Sequence, residues 1–136
     1  MIDFFVHGKP FPDQRPRVAR NGGIIPNQNV IEWKELVERV GLRYMTVMAP
    51  LLEPVELKLV FHMPIPESWS RKRRDDAAGT AHAKKPDVDN LAKAVMDALN
   101  GVVWQDDAQV TSLNVRKVYA REVTGVQLYA DIDLWG

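Results

Sequence analysis

Four aspartates lie close together in the chain: Asp87 and Asp89, separated by Val88, and the adjacent pair Asp106-Asp107. Pro86 biases Lys85 toward an extended backbone. If Asp87 is extended too, side chains at i and i+2 point the same way just before a helix begins. Carboxylates that close raise each other's proton affinity unless a cation or donor group compensates. Mg²⁺ suits them, a hard ion that takes one or two carboxylates and keeps waters for a substrate phosphate. Asp106 and Asp107, after the turn that ends the helix, can fold back to supply a third carboxylate. The same aspartates also admit a structural reading, with Asp89 as helix N-cap and Asp87 as a loop residue favoured by the helix dipole. Zinc fits poorly: there is no Cys, and His7, His62 and His82 have no ligand spacing. Neither an EF-hand nor a glycine-rich phosphate loop is present.

Lys93 lies four residues after Asp89 and four before Asp97, so the three share a helical face, as a salt-bridge ladder or as a catalytic lysine between acids. Lys117 falls on the apolar face of a strand with Leu113 and Val115, where a charge needs a partner or an escape to solvent. Net charge is zero, with 18 basic and 18 acidic residues, but the distribution is uneven. His7 to Arg20 and Pro66 to Pro86 are each net +3. The first contains Arg15-Pro16-Arg17, two phosphate-capable forks on a stiffened backbone. The second contains Arg71, Lys72, Arg73, Arg74, Lys84 and Lys85. A carboxylate nest flanked by basic segments is the arrangement that needs positioning.

The elements that must do so belong to one small domain, 1–136, of ordinary globular composition (46% hydrophobic, 26% charged). Ile2 to His7 reads as a strand, and Phe11 to Asn29 as loop with a small hairpin turned by Asn21-Gly22-Gly23. Val30 to Met48 carries apolar residues at three and four, which predicts an amphipathic helix stopped by Pro50. Val55 to Met63 alternates as a half-buried strand. Ser68 to Lys85, within a basic stretch of about 67–85, has few apolar residues and is expected to be an exposed, mobile loop. A second helix is expected from about Asp89 to Leu99. Strands near Gln109 to Tyr119 and Gly125 to Trp135 complete an α+β fold, a mostly antiparallel mixed sheet with two helices packed on it. No signal peptide or membrane span is legible, so a soluble, cytoplasmic protein is expected.

The run Lys85-Pro86-Asp87-x-Asp89-Asn90-Leu91-x-Lys93-Ala94, then Asp97-Ala98-Leu99-Asn100-Gly101, Trp104-x-Asp106-Asp107-x-Gln109-Val110 and Lys117 resemble the RusA family of crossover junction endodeoxyribonucleases. These are Holliday junction resolvases common in prophages, and Arg15-Pro16-Arg17 echoes the family's N-terminal basic element. The resemblance implies a homodimeric mixed α/β fold and Mg²⁺-dependent cutting of four-way DNA junctions by paired symmetric nicks, in recombination and repair. Carried over by position, it implies Asp87, Asp89 and Asp107 as essential metal carboxylates holding one or two Mg²⁺, Asp106 as a supporting one and Lys93 as the active-site lysine. Lys117 is similar to a family strand lysine. The segment Trp69 to Ala83 departs from the family pattern.

On this reading Arg15, Arg17, Lys85, Arg71, Lys72, Arg73, Arg74 and Lys117 meet backbone phosphates of a branched DNA, and no nucleotide cofactor is expected. Two symmetric cuts call for two sites on a two-fold axis, hence a homodimer, with Ile24, Ile25 and the helix around Trp33 as candidate contacts. The rival readings are a catalytically inactive junction-binding module and a less specific Mg²⁺-dependent nuclease of branched DNA. A phosphohydrolase built on the Asp-x-Asp pair fits less well, because no buried apolar strand leads into it.

Overall fold

The computed structural model describes residues 1–14 and 17–135. Arg15 and Pro16, the first two residues of the Arg-Pro-Arg element, lie outside the described residues. Strand β1 (Ile2–His7) is followed by a two-residue-strand hairpin, β2 (Arg17–Val18) and β3 (Ile24–Ile25), and by helix α1 (Gln28–Tyr44). Strand β4 (Val55–Met63), helices α2 (Arg71–Ala77) and α3 (Val88–Ala98), and strands β5 (Val110–Tyr119) and β6 (Gly125–Ile132) complete the order.

The main sheet runs β1-β6-β4-β5. β6 is antiparallel to both β1 and β4, whereas β4 and β5 are parallel. Period-two alternation sends Ile2, Phe4 and Val6, Val55 through Met63 at odd positions, and Val126, Leu128 and Ala130 to one face. Helices α1 and α3 cover that face through Trp33 and Val37, and through Leu91, Val95 and Leu99 at the end of α3. A parallel pair cannot be closed by a hairpin, so the chain must cross over between β4 and β5. Helix α3 is the packed part of that crossover, and the aspartates read from the sequence lie at its two ends.

The expected strands and the small hairpin are present; several other expectations need correction. Helix α1 stops at Tyr44, short of Met48: the Met45 N–H closes on the Gly41 carbonyl and Val47 is 92% exposed. The stretch expected as a mobile basic loop contains α2, which makes three helices where two were expected. Arg, Lys and Ala are good helix formers, and the Ser70 hydroxyl accepts from the Arg73 N–H as an N-cap. Beyond α2 the chain lies along β5 as a short antiparallel partner, with Ala81 opposite Val118 and the His82 N–H on the Lys117 carbonyl. On β5 the predicted inward face is only partly covered, since Leu113 is 47% exposed at the sheet edge. The last strand, expected to run to Trp135, ends at Ile132, where the chain leaves the sheet with Ile132 and Leu134 exposed. No helix among the described residues is long and apolar enough to cross a membrane.

Candidate active site

Helix α3 begins at Val88, one residue earlier than the spacing predicts. This makes Asp87 the N-cap residue, extended at φ −72° and ψ 147°, and puts Asp89 in the first helical turn. The parity argument that pointed both side chains the same way therefore does not apply, because only Asp87 is extended. Nor does Asp87 serve as a cap: its carboxylate accepts no backbone hydrogen bond from the helix. It is half exposed, paired at 3.0 Å with the ammonium of Lys85, itself almost fully exposed. Asp89 is exposed and accepts from the Asn90 N–H at 2.9 Å. Both carboxylates face solvent at the N-terminal, positive end of the α3 dipole.

Lys117 holds the approach to this pair. Its Nζ donates to the carbonyl oxygens of Lys84 at 2.5 Å and Pro86 at 2.6 Å, across the cis Lys85–Pro86 peptide. The inward lysine on β5 thus spends two of its three donors on backbone rather than on an aspartate.

At the other end of α3 the pair Asp106-Asp107 precedes a short 3₁₀ turn, Asp107–Gln109. Asp106 is the cap here. Its carboxylate accepts from the Ala108 N–H at 3.1 Å while Gln109 Oε1 accepts from the Asp106 N–H at 2.9 Å, a capping box. The Ala108 N–H, and then hydrogen bonding with Asp107, hold the Asp106 carboxyl below its ordinary value. Asp107 moves the other way. Partial desolvation, the neighbouring Asp106 and the charge of Asp97 raise it, and Asn100 only partly offsets this. Asp107 is thus the member of the pair that holds a proton more readily. Gln109 ties the turn to the chain before β4 through the carbonyls of Leu51 and Glu53.

Lys93 turns toward Asp97, at 3.3 Å, and away from Asp89. A second carboxylate reaches it from outside the helix: Asp13, in the loop after β1, lies 3.6 Å from Lys93 Nζ and 2.7 Å from Lys34 Nζ of α1. Lys34 also lies 3.6 Å from Asp97. Asp97, and after it Asp13, raise the affinity of Lys93 for its proton.

The basic residues divide by partner. Arg74 donates to the Pro66 carbonyl at 2.7 Å, and Arg73 stacks over the Trp69 ring at 3.7 Å. Trp69 in turn packs on Tyr119, and Tyr119 on His82. Arg71 and Lys72 are exposed on α2, as is Arg17 on the hairpin. Arg15 lies outside the described residues.

The structure therefore brings Asp87 and Asp89 to one end of α3, and Asp107 with Asp97 to the other. Eight residues of helix, about 12 Å of rise, separate Asp89 from Asp97. Among the described residues no three His, Asp or Glu side chains are gathered closely enough to hold a metal ion. The sequence reading missed Asp13 and Lys34. Their relation to Lys93 is purely tertiary, and the only local signal was a lysine beside the buried Trp33.

Two comparisons bear on this arrangement. The model of the family described as endodeoxyribonuclease RusA matches residues 7–129. The chain is also 32% identical over 130 residues to the uncharacterized protein YqaN of Bacillus subtilis (strain 168), with 89% of each chain covered. The family match opens on the last residue of β1 and closes within β6, so it takes in the whole crossover that carries the aspartates, and the chain belongs to the RusA family of endodeoxyribonucleases.

Proposed function

We propose that this protein is a Mg²⁺-dependent endonuclease that resolves four-way DNA junctions by paired symmetric nicks. The observation that carries the reading is Asp87: an extended carboxylate at the start of the crossover helix that caps nothing and stands with Asp89 in solvent. A structural aspartate at that position would accept a backbone N–H, as Asp106 does at its own turn.

The donor set fits a hard cation. It consists of carboxylate oxygens alone, and partial desolvation, followed by the neighbouring Asp106 and the charge of Asp97, raises the proton affinity of Asp107. Asp87, Asp89 and Asp107 would hold Mg²⁺, with Asp106 keeping Asp107 in place from its cap position. The ion would supply a nucleophilic water at neutral pH and charge opposite the leaving 3′ oxygen. Lys93 places an ammonium beside the same helix, where it offsets negative charge developing on the phosphoryl oxygens. Lys117 holds the 84–86 backbone so that Asp87 presents its oxygens outward. Arg17, Lys85, Arg71 and Lys72 supply exposed cations for backbone phosphates, which recognise the junction by shape. Because α3 keeps Asp89 and Asp107 apart within one chain, a homodimer that sets the 106–107 turn of one copy against the 87–89 segment of the other is the assembly this reading favours.

The test is cleavage of a labelled synthetic four-way junction beside a flap, a fork and linear duplex of the same sequence, with Mg²⁺ or chelator, by wild type and Asp87→Asn. Paired, ligatable nicks that require both Mg²⁺ and Asp87 are expected. Junction binding without any cut would make the protein an inactive binding module. Equal cutting of flaps and forks would make it a less specific nuclease.

A further inference from the structure

Lys93 is a flexible side chain, 60% exposed, and an ammonium that must meet a particular phosphoryl oxygen gains from being held. The surrounding charges form a closed ring in alternating sign. Asp13 contacts Lys34 through Oδ1 and Lys93 through Oδ2, whereas a single oxygen of Asp97, Oδ2, contacts both lysines. Three elements meet in it: the loop after β1, α1 and α3. Asp13 is also pinned by its backbone, its N–H donating to the Asn90 carbonyl in the first half of α3 at 2.9 Å. Asp13 is therefore tied to α3 by main chain and side chain together, one residue after Asp89.

We infer that Asp13 and Lys34 are positioning residues for the reaction: Asp13, from outside the helix, joins Asp97 in holding the Lys93 ammonium in one orientation against α3, and Lys34 keeps Asp13 in place. The inference rests on the nuclease reading for what Lys93 does, but the contact itself does not. Asp97 alone cannot play this part. It lies four residues C-terminal to Lys93 and holds the ammonium from within α3 only, whereas Asp13 holds it from a second element. Lys34 also offsets the mutual repulsion of Asp13 and Asp97, which would otherwise push Asp13 off the helix. Isolated exposed ion pairs contribute little to stability, so the value of this ring lies in direction rather than in free energy of folding.

The experiment uses the full chain with lysine carbon-13 labelling. Relaxation of the Lys93 Cε methylene is measured in wild type, Asp13→Asn and Lys34→Met, together with single-turnover cutting and Kd for a synthetic four-way junction. We expect Asp13→Asn to lower the Lys93 order parameter and to slow cutting by on the order of 10- to 100-fold, with junction Kd within about threefold of wild type. Lys34→Met should give a smaller loss of the same kind, and Lys34→Arg should restore it. If Asp13→Asn fails to fold, the Lys34 variants carry the comparison. Unchanged Lys93 order, or lost order with wild-type cutting, overturns the inference. Wild-type cutting by Asp87→Asn would instead overturn the nuclease reading, and the Lys93 relaxation would still report whether Asp13 holds it.

Discussion

The ammonium of Lys117 lies 2.6 Å from the carbonyl oxygen of Pro86, so an edge-strand side chain fixes the backbone immediately before Asp87. A charge read from the sequence as a candidate phosphate contact is in this structure an internal anchor. Hydrogen bonds from a charged donor contribute about 1.5–3 kcal/mol each, less where water can replace the missing partner. Lys117→Met is therefore expected to lower stability in urea by about 2–3 kcal/mol and to slow junction cutting about tenfold. The slope of log Kd against log salt should stay unchanged, whereas a lysine that bound phosphate would change it by about 0.9 on removal.

Asp107 illustrates a conflict between stability and chemistry. Its folded carboxyl binds a proton more tightly than the ordinary 3.8, so its contribution to stability is present below that value and is lost as pH rises through the raised folded value. Asp107→Asn is expected to raise the melting temperature slightly at pH 7 in chelator, while cutting falls by on the order of 10³-fold. Mg²⁺ should stabilise the wild type in the same melts and leave the variant unmoved.

The basic residues of α2 should separate by role. Arg74 binds the carbonyls of Pro66 and Ile65, so Arg74→Ala should melt α2, detectable as faster amide exchange over 71–77. Arg71→Ala with Lys72→Ala should leave exchange intact and weaken junction binding. Its salt slope should fall by about 0.9 for each phosphate that these side chains no longer neutralise, as measured by titrating salt in a binding assay.

His82 is buried against Tyr119, with no partner for Nδ1 among the described residues. Burial, and then the charge of Lys117, lower its proton affinity. A histidine with a lowered folded value contributes its full stability above 6.5 and loses it as pH falls below that. Thermal melts from pH 7.5 to pH 5 should show this decline, and His82→Phe should reduce it. A remainder is expected from His62, which burial shifts in the same direction.

What could be read without coordinates was whatever repeats or stops locally. Alternation in Val55 to Met63 and Val126 to Ala130 set strand faces, and the three-and-four spacing of Trp33, Leu36, Val37 and Val40 set the inward face of α1. Asn21-Gly22-Gly23 set the hairpin turn, with Gly22 at φ 84°. The α+β class followed from these, and the irregular spacing around Asp87, Lys93 and Asp107 carried the family. Helix α2 was not legible, because its 71–77 stretch buries no apolar stripe. It is held by a cap, by Arg74 on a distant carbonyl and by Trp69 on Tyr119, contacts invisible to periodicity.

The roles of the charged residues were decided in three dimensions. The capping that spacing suggested for Asp89 is not made: α3 starts at Val88, so Asp87 takes the N-cap position and Asp89 lies in the first turn, and the aspartate that caps is Asp106, at the separate 107–109 turn. Local pattern was enough to locate these aspartates, Lys93 and Lys117 on their helices, strands and loops. Folding in three dimensions is what sets Lys117 on the backbone, brings Asp13 and Lys34 around Lys93, and leaves Asp89 and Asp107 at opposite ends of α3. The difference is one of range: helix and strand periods act over neighbouring residues, whereas these ion pairs join the loop after β1, α1 and α3, and the Lys117 hydrogen bonds join β5 to the 84–86 backbone, segments that meet only after the core has closed.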